Sequence, residues 1–318
     1  MDELPIHLPM SRAEFLSGYF ERSFLHIRSG VDCRGYCWNR FGQDFHGIEP
    51  AMGTVRLYRE GLVDRQGYQV ADQREQAVVN EFNPRAIHEA LTEGGTLVVN
   101  RFEKCSTAVA ALCRQLSDLT ANPTVGNAYA TKGGTGTFGK HWDTHCVFAT
   151  QLIGAKRWKV YRPTLELPLA FQTSKAEKAR FDGEPVFDDV LRAGDVLYIP
   201  RGWWHEVTPI PDQPSLHIAV GVHSMKTHDY VKWVLNRKMG GDLSFRQSLD
   251  RSAPQDALLE EACDALLREC RSRTSFQQYL RECQVAVGQR QVIDFDEMFQ
   301  RVDQHVHHTQ RETHDENS

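Results

Sequence analysis

No run of apolar residues in this chain approaches the roughly 18 that a bilayer-spanning helix requires. The opening stretch, MDELPIHLPM, begins acidic and holds no apolar core of signal-peptide length. Both absences predict a cytoplasmic protein with no membrane partner. An excess of one charge is also missing: 37 Lys and Arg face 42 Asp and Glu, for a net charge of -5. The whole chain therefore has no pull toward nucleic acid. None of the 8 cysteines forms a C-x-x-C pair, which argues against a zinc ribbon or a dithiol redox motif. Free thiols are expected throughout, and Cys33 and Cys37, four residues apart, are only a weak metal or disulfide pair. Gly133-Gly134-Thr135-Gly136 lacks the Lys-Ser/Thr ending of a phosphate loop and precedes a predicted strand. No nucleophile elbow and no internal repeat are present.

What remains is an ordinary globular composition, 41% hydrophobic, 25% charged and 10% aromatic, in 318 residues. That length supports one large domain with a smaller appendage. Residues 1–95 read as an α/β flank. Phe15, Leu16, Tyr19 and Phe20 fall at helical spacing within residues 11–28, behind Ser11 as N-cap. Val55–Tyr58 reads as a strand and Asn83-Pro84 as a helix entry.

Residues 96–224 change character. Short β-prone runs recur at 96–99, 128–131, 147–150, 158–161, 196–199 and 216–220, separated by Gly and Pro. Many short strands with turn signals predict a β-barrel or sandwich. One helix near 105–119 interrupts them, with Val109, Leu112, Leu116 and Leu119 on one face. Residues 225–308 read as helical. Leu258, Leu259, Ala262, Leu266 and Leu267 form one stripe, with Pro254 in the first turn. Phe276, Tyr279 and Leu280, then Phe295, Met298, Phe299 and Val302, mark two more helices. These stripes need a partner surface, which suggests a homodimer. The polar tail, 309–318, is expected to stay disordered.

The chemistry is carried by His141-Trp142-Asp143. In a strand, residues i and i+2 share a face, so His141 and Asp143 aim at one point while Trp142 turns into packing. An H-x-D triplet arises by chance in a chain this long, and His141 alone reads equally well as an ordinary histidine. A third ligand is needed. His205 follows a Gly194-Asp195 turn, an apolar strand and a Pro200-Arg201-Gly202 turn, which can set it beside His141. Two His and one carboxylate leave half of an octahedral iron(II) open. A structural zinc would need a fourth ligand, for which only His145 and His217 offer themselves.

These residues resemble the JmjC/cupin iron(II) and 2-oxoglutarate oxygenases, most closely the branch of ribosomal-oxygenase-like protein hydroxylases. The resemblance spans roughly residues 10–235 and is strongest from Asn127 to Tyr161. The family places an Asn fourteen residues before the first iron histidine, here Asn127. It places a Lys or Arg fifteen residues after it, here Lys156. Its Gln-x-x-Gly-x-Lys-Arg-Trp run is matched by Gln151, Gly154, Lys156, Arg157 and Trp158. The resemblance implies a double-stranded β-helix, the jelly-roll cupin of a JmjC domain, mainly β with flanking helices and a helical C-terminal region. It implies iron held by His141, Asp143 and His205, and 2-oxoglutarate whose far carboxylate meets Lys156 and Asn127. Lys156 alone would read as a surface lysine. Tyr129 and Thr131 share a strand face with Asn127 and are expected to line the same pocket.

Some relatives carry Thr and Asn where this chain has Phe138 and Val147, so contacts beyond the metal must differ. The C-terminal winged helix of that branch is not recognisable here. The implied activity is hydroxylation of a protein or peptide side chain by dioxygen, with succinate and carbon dioxide as coproducts. N-methyl-lysine demethylation, small-molecule oxidation and a non-catalytic metal-binding cupin remain as alternatives. Trp142, Trp203 and Trp204 suit packing better than a substrate pocket. Arg201 fits a substrate contact or a surface position, and His217 a place near the iron or in the core.

Overall fold

The computed structural model describes residues 4–74, 77–249, 252, 254 and 256–288. The chain divides into two units, Met1–Ser224 and Met225–Ser318.

In the first unit, Ser11 caps α1 (Arg12–Gly18) through a reciprocal capping box with Glu14. Phe15 is driven into the core against Phe148 and Tyr198. The helix stops well short of residue 28. Glu21 adopts a left-handed φ of 58°, its N–H donates to the Tyr198 hydroxyl, and its carboxylate receives Arg201. Tertiary contacts thus override the apolar spacing and let β1 (Leu25–Ile27) join a sheet. There follow α2 (Trp38–His46), β2 (Val55–Tyr58), β3 (Gln69–Arg74), β4 (Ala77–Phe82) and α3 (Pro84–Thr92). Asn83 caps α3 and Pro84 opens it, as predicted. After β5 (Thr96–Val99) comes α4 (Thr107–Thr120), capped by Ser106, with Val109, Leu112, Leu116 and Leu119 all buried.

The remaining strands are β6 (Thr124–Lys132), β7 (Cys146–Ile153), β8 (Ala155–Tyr161), β9 (Pro185–Arg192), β10 (Val196–Ile199), β11 (Trp204–Pro209) and β12 (Pro214–Val222). Seven strands form one sheet in the order β1-β10-β7-β12-β6-β5-β2, and three form another, β11-β8-β9. The hairpin β3-β4 stands apart from both. β7 is apolar almost throughout because both faces are covered. Cys146, Phe148 and Leu152 join the core under α1 and α4, while Ala149 packs with Trp158 and Val160 of the small sheet. Among the described residues no strand pairing links the two sheets, so the barrel is not closed by hydrogen bonds. Side chains from both sheets instead line one cavity.

The turn from β7 to β8 depends on Gly154. Its φ is +66°, and a Cβ there would lie 2.2 Å from the Pro214 carbonyl oxygen. This reversal sets Lys156 on a strand beside β11, opposite Pro209, rather than directly beside His141.

The second unit contains α5 (Thr227–Arg237), α6 (Asp256–Arg271) and α7 (Arg273–Gly288). Tyr230, Val234, Met239, Ala265 and Tyr279 form its core. The expected stripe on α6 is rotated. Leu259 is 50% and Leu267 46% exposed, while Leu258, Ala262 and Leu266 are half-buried beside Ala265. Tyr230 and Tyr279 draw the Ala265 side of the helix inward, a choice that periodicity alone leaves open. Pro254 lies ahead of the first turn, not within it. The expected helix around Phe295–Val302 and the tail 309–318 fall outside the described residues.

Candidate active site

His141 and His205 exchange backbone hydrogen bonds, N to O at 3.0 and 2.8 Å, and form an isolated antiparallel bridge. The strand expected over 141–143 is therefore reduced to a single paired residue. The chain enters from a loop whose four glycines, Gly133, Gly134, Gly136 and Gly139, all have positive φ, and leaves with the Asp143 carbonyl accepting from Gly202 N–H. Even so, His141, Asp143 and His205 each offer a ligand atom within 4.8 Å of the others. The His205 Nε2 to Asp143 Oδ2 distance is 3.6 Å. Adjacent ligands of an octahedral ion with bonds of about 2.1 Å would stand roughly 3 Å apart, so small side-chain shifts close the site.

The ring tautomers follow from the backbone. His141 Nδ1 lies 2.9 Å from the Gly139 carbonyl, and His205 Nδ1 lies 3.2 Å from the Trp203 carbonyl. A carbonyl only accepts, so Nδ1 carries the proton in both rings and each Nε2 keeps a lone pair for a metal. Burial, reinforced by His141 and opposed by Asp143, pushes His205 down to about 4, so its ring is neutral at pH 7. Burial disfavours ionised Asp143, but His205, His145 and His141 together hold its carboxyl below the usual range. The donor set is two imidazoles and one carboxylate. It fits a divalent iron with half its coordination sphere vacant. Among the described residues no fourth ligand joins the group. His145 stacks on His223 at 5.0 Å, and His217 is engaged elsewhere.

All three residues line a cavity of about 320 Å³, shared with Asn127, Tyr129, Thr131 and Lys156. The β6 alternation that puts 127, 129 and 131 on one face supplies three of these. Asn127 Oδ1 accepts from Arg101 N–H at 2.9 Å, which leaves its Nδ2 to donate. The Thr131 hydroxyl donates to the Gly133 carbonyl and can still accept. Lys156 is only 1% exposed. Its Nζ reaches the Tyr129 carbonyl at 3.1 Å and His217 Nδ1 at 2.9 Å, and it makes no ion pair among the described residues. Burial pushes this ammonium down to about 7. The same burial, with Lys156 alongside, keeps His217 well below its ordinary value and therefore neutral. Trp158 joins the two ends of the cavity, 6.4 Å from the His205 ring and 5.3 Å from His217. Its buried indole N–H has no hydrogen-bond partner among the described residues. A cation without a counter-ion and a donor without an acceptor suit an anionic ligand such as a dicarboxylate.

Arg201 neither faces solvent nor lines the cavity. It is buried, paired with Glu21 and bonded to the carbonyls of Leu167 and Pro168, bracing a loop. Trp142 and Trp204 pack with Tyr161, and Trp203 with Phe24; none lines the cavity. All eight cysteines are free thiols. Among the described residues no helix is long and apolar enough to cross a membrane. Phe138, only a departure from a pattern in the sequence, is 40% exposed at the cavity wall, against Tyr58 at 5.1 Å and His141 at 6.2 Å. No sequence signal joins it to Tyr58. The stacking of His223 on His145 has no local signal either, since its place depends on the end of β12.

Residues 98–230 match the family model of the JmjC domain. Ribosomal oxygenase 1 of Gallus gallus is 31% identical over 264 residues, which cover 79% of this chain and 41% of that protein. The bifunctional lysine-specific demethylase and histidyl-hydroxylase NO66 of Drosophila mojavensis is 35% identical over 129 residues, 39% of this chain and 14% of that one. The chain thus spans less than half the length of these relatives. Among solved structures, YcfD, a ribosomal oxygenase from Escherichia coli in complex with cobalt and 2-oxoglutarate, has the same fold. Its TM-score is 0.56 at 19% identity, covering 87% of this chain and 71% of that one. Residues 98–230 are therefore similar to a JmjC domain, and over 79% of its length the chain is similar to a ribosomal oxygenase.

Proposed function

We propose that this chain is an iron(II)- and 2-oxoglutarate-dependent dioxygenase that hydroxylates a side chain of a protein or peptide. The carrying observation is a three-residue ligand cluster that shares a cavity with a buried lysine, which has no carboxylate partner among the described residues. In this reading the two sheets are the halves of a double-stranded β-helix. The described part of residues 4–95 flanks it, residues 96–224 form the catalytic domain, and the helices α5 to α7 make up a C-terminal region.

His141, Asp143 and His205 hold the iron. Lys156 and Asn127 take the 5-carboxylate of 2-oxoglutarate by a charge-assisted bond and an amide donor. Tyr129 and Thr131 shape the same wall. Bound iron supplies the redox chemistry by which dioxygen is reduced, 2-oxoglutarate loses carbon dioxide to give succinate, and one oxygen atom enters a substrate C–H bond. The protein's own part is to orient the cosubstrate, admit one substrate side chain past Phe138 and keep bulk water out. The relatives' names, ribosomal oxygenase and histidyl-hydroxylase, favour a protein substrate.

The test is mass spectrometry of cellular proteins after incubation with the chain, iron(II), 2-oxoglutarate and air. The expected result is a gain of one oxygen on a protein, matched by succinate. The name lysine-specific demethylase carried by some relatives supports a second reading, in which hydroxylation of an N-methyl group releases formaldehyde. Formaldehyde without a stable oxygen gain would select it. Succinate absent under all conditions would refute both readings.

A homodimer through the C-terminal helices belongs to the same proposal. Leu259 and Leu267 lie on the exposed side of α6, where a second copy can cover them. Sedimentation equilibrium should report a dimer that Leu259→Glu with Leu267→Glu converts to monomer. A wild-type monomer at high concentration would rule the dimer out.

A further inference from the structure

Lys156 belongs to β8 of the small sheet, yet its ammonium ends on the large one. It touches the Tyr129 carbonyl of β6 and the His217 ring of β12, residues that face each other in strand register. An ammonium has three N–H donors. Tyr129 O takes one and His217 Nδ1 another, which leaves a single N–H for a ligand in the cavity. His217 is itself fixed. Its ring lies parallel to the Tyr129 ring at 4.8 Å with an interplanar angle of 3°, and edge-on to Trp158 at 5.3 Å and 79°.

We propose that His217 is a positioning residue: its Nδ1 pins the Lys156 ammonium so that one N–H is held toward the far carboxylate of the cosubstrate. This rests on reading the cavity as a 2-oxoglutarate site. The role requires the neutral ring with its proton on Nε2, because only an unprotonated Nδ1 can accept from an ammonium. The groups facing Lys156 are compatible with this: the Tyr129 carbonyl accepts, and burial pushes the Tyr129 phenol up, so it stays neutral. Without the Nδ1 acceptor, the four-carbon lysine stem would spread over several rotamers, and ordering it would cost affinity at each binding event.

Three replacements separate this role from packing. His217→Asn keeps an acceptor near the Nδ1 position. His217→Gln moves the acceptor to the Nε2 position. His217→Leu removes it. Binding is measured by calorimetry on the full chain loaded with manganese(II), with 2-oxoglutarate and with pyruvate. Pyruvate has the chelating 2-oxo acid but no far carboxylate. The Leu and Gln variants should bind 2-oxoglutarate on the order of tenfold more weakly, the loss of one well-made charge-assisted bond. Asn should restore most of the affinity. Pyruvate should bind all four proteins alike.

Equal 2-oxoglutarate binding in wild type and the Leu and Gln variants overturns the inference. Parallel loss of pyruvate binding also overturns it, since that would be general damage to the pocket. If the Leu variant does not fold, the contrast between Asn and Gln decides. Wild type that binds manganese but no 2-oxoglutarate refutes the cosubstrate reading, and this inference with it.

Discussion

Replacing His141 or Asp143 by alanine is expected to abolish oxygen transfer while leaving the fold intact. The loss should exceed the roughly 100-fold typical of removing a residue that merely orients a metal ligand. The geometry explains why structure survives. Both side chains are only half-buried, and Asp143 is 34% exposed toward the cavity, so neither closes a hydrophobic core. The His141–His205 bridge is made by backbone atoms that alanine retains. Succinate formation and metal affinity, measured beside far-ultraviolet circular dichroism, check this. Full activity in either variant would mean that the metal is held elsewhere.

The second large effect concerns Lys156. Lys156→Met should weaken 2-oxoglutarate binding by about two orders of magnitude, because a buried charged hydrogen-bond partner is worth roughly 2–5 kcal/mol. The same change should stabilise the protein without cosubstrate. In the unfolded chain a lysine titrates near 10.4, whereas here burial pushes it down to about 7. Between those values the folded state binds fewer protons than the unfolded one, so stability rises with pH from about 7 to about 10. Near neutrality the buried lysine costs on the order of 4 kcal/mol, which methionine avoids.

Cosubstrate binding has the opposite dependence on pH. The far carboxylate selects the protonated lysine. Affinity should hold steady below about pH 7 and fall as much as tenfold per unit above it. Calorimetry across pH 6–9 and thermal melts of both proteins test these signs together. A methionine variant that melts lower, or binds 2-oxoglutarate as wild type does, would contradict the account.

The parts legible in the sequence share one property: local signals agreed with the tertiary demand. The run Val147–Thr150 is apolar because β7 is covered on both faces, and a buried strand needs little else. Ser11 and Asn83 are caps whose side chains accept from helix N–H groups three residues on. The spacing of Asn127, Tyr129 and Thr131 is a strand period, and all three line the cavity. The illegible parts depend on residues far apart in the chain. Arg201 finds Glu21 across 180 positions, and that contact also ends α1 earlier than its apolar spacing implies. The face of α6 was set by Tyr230 and Tyr279, which no helical periodicity specifies. β9 reads PVFDDVLR, with paired acids where a strand signal would be apolar. It forms because its backbone pairs with β8 and Leu191 and Phe187 pack into the small sheet's core, while Asp188 meets Arg157 on the outer face. The His217–Lys156 contact had no local trace at all, since its partners lie on different sheets.

The most direct measurement is anaerobic visible absorption of the chain titrated with iron(II) and 2-oxoglutarate. A 2-oxo acid chelating iron(II) gives a charge-transfer band that neither component shows alone. One equivalent of each should produce the band in wild type, and His205→Ala should lose it. No band in wild type, or an undiminished band in the alanine variant, would contradict a centre built from His141, Asp143 and His205 with room for a chelating cosubstrate.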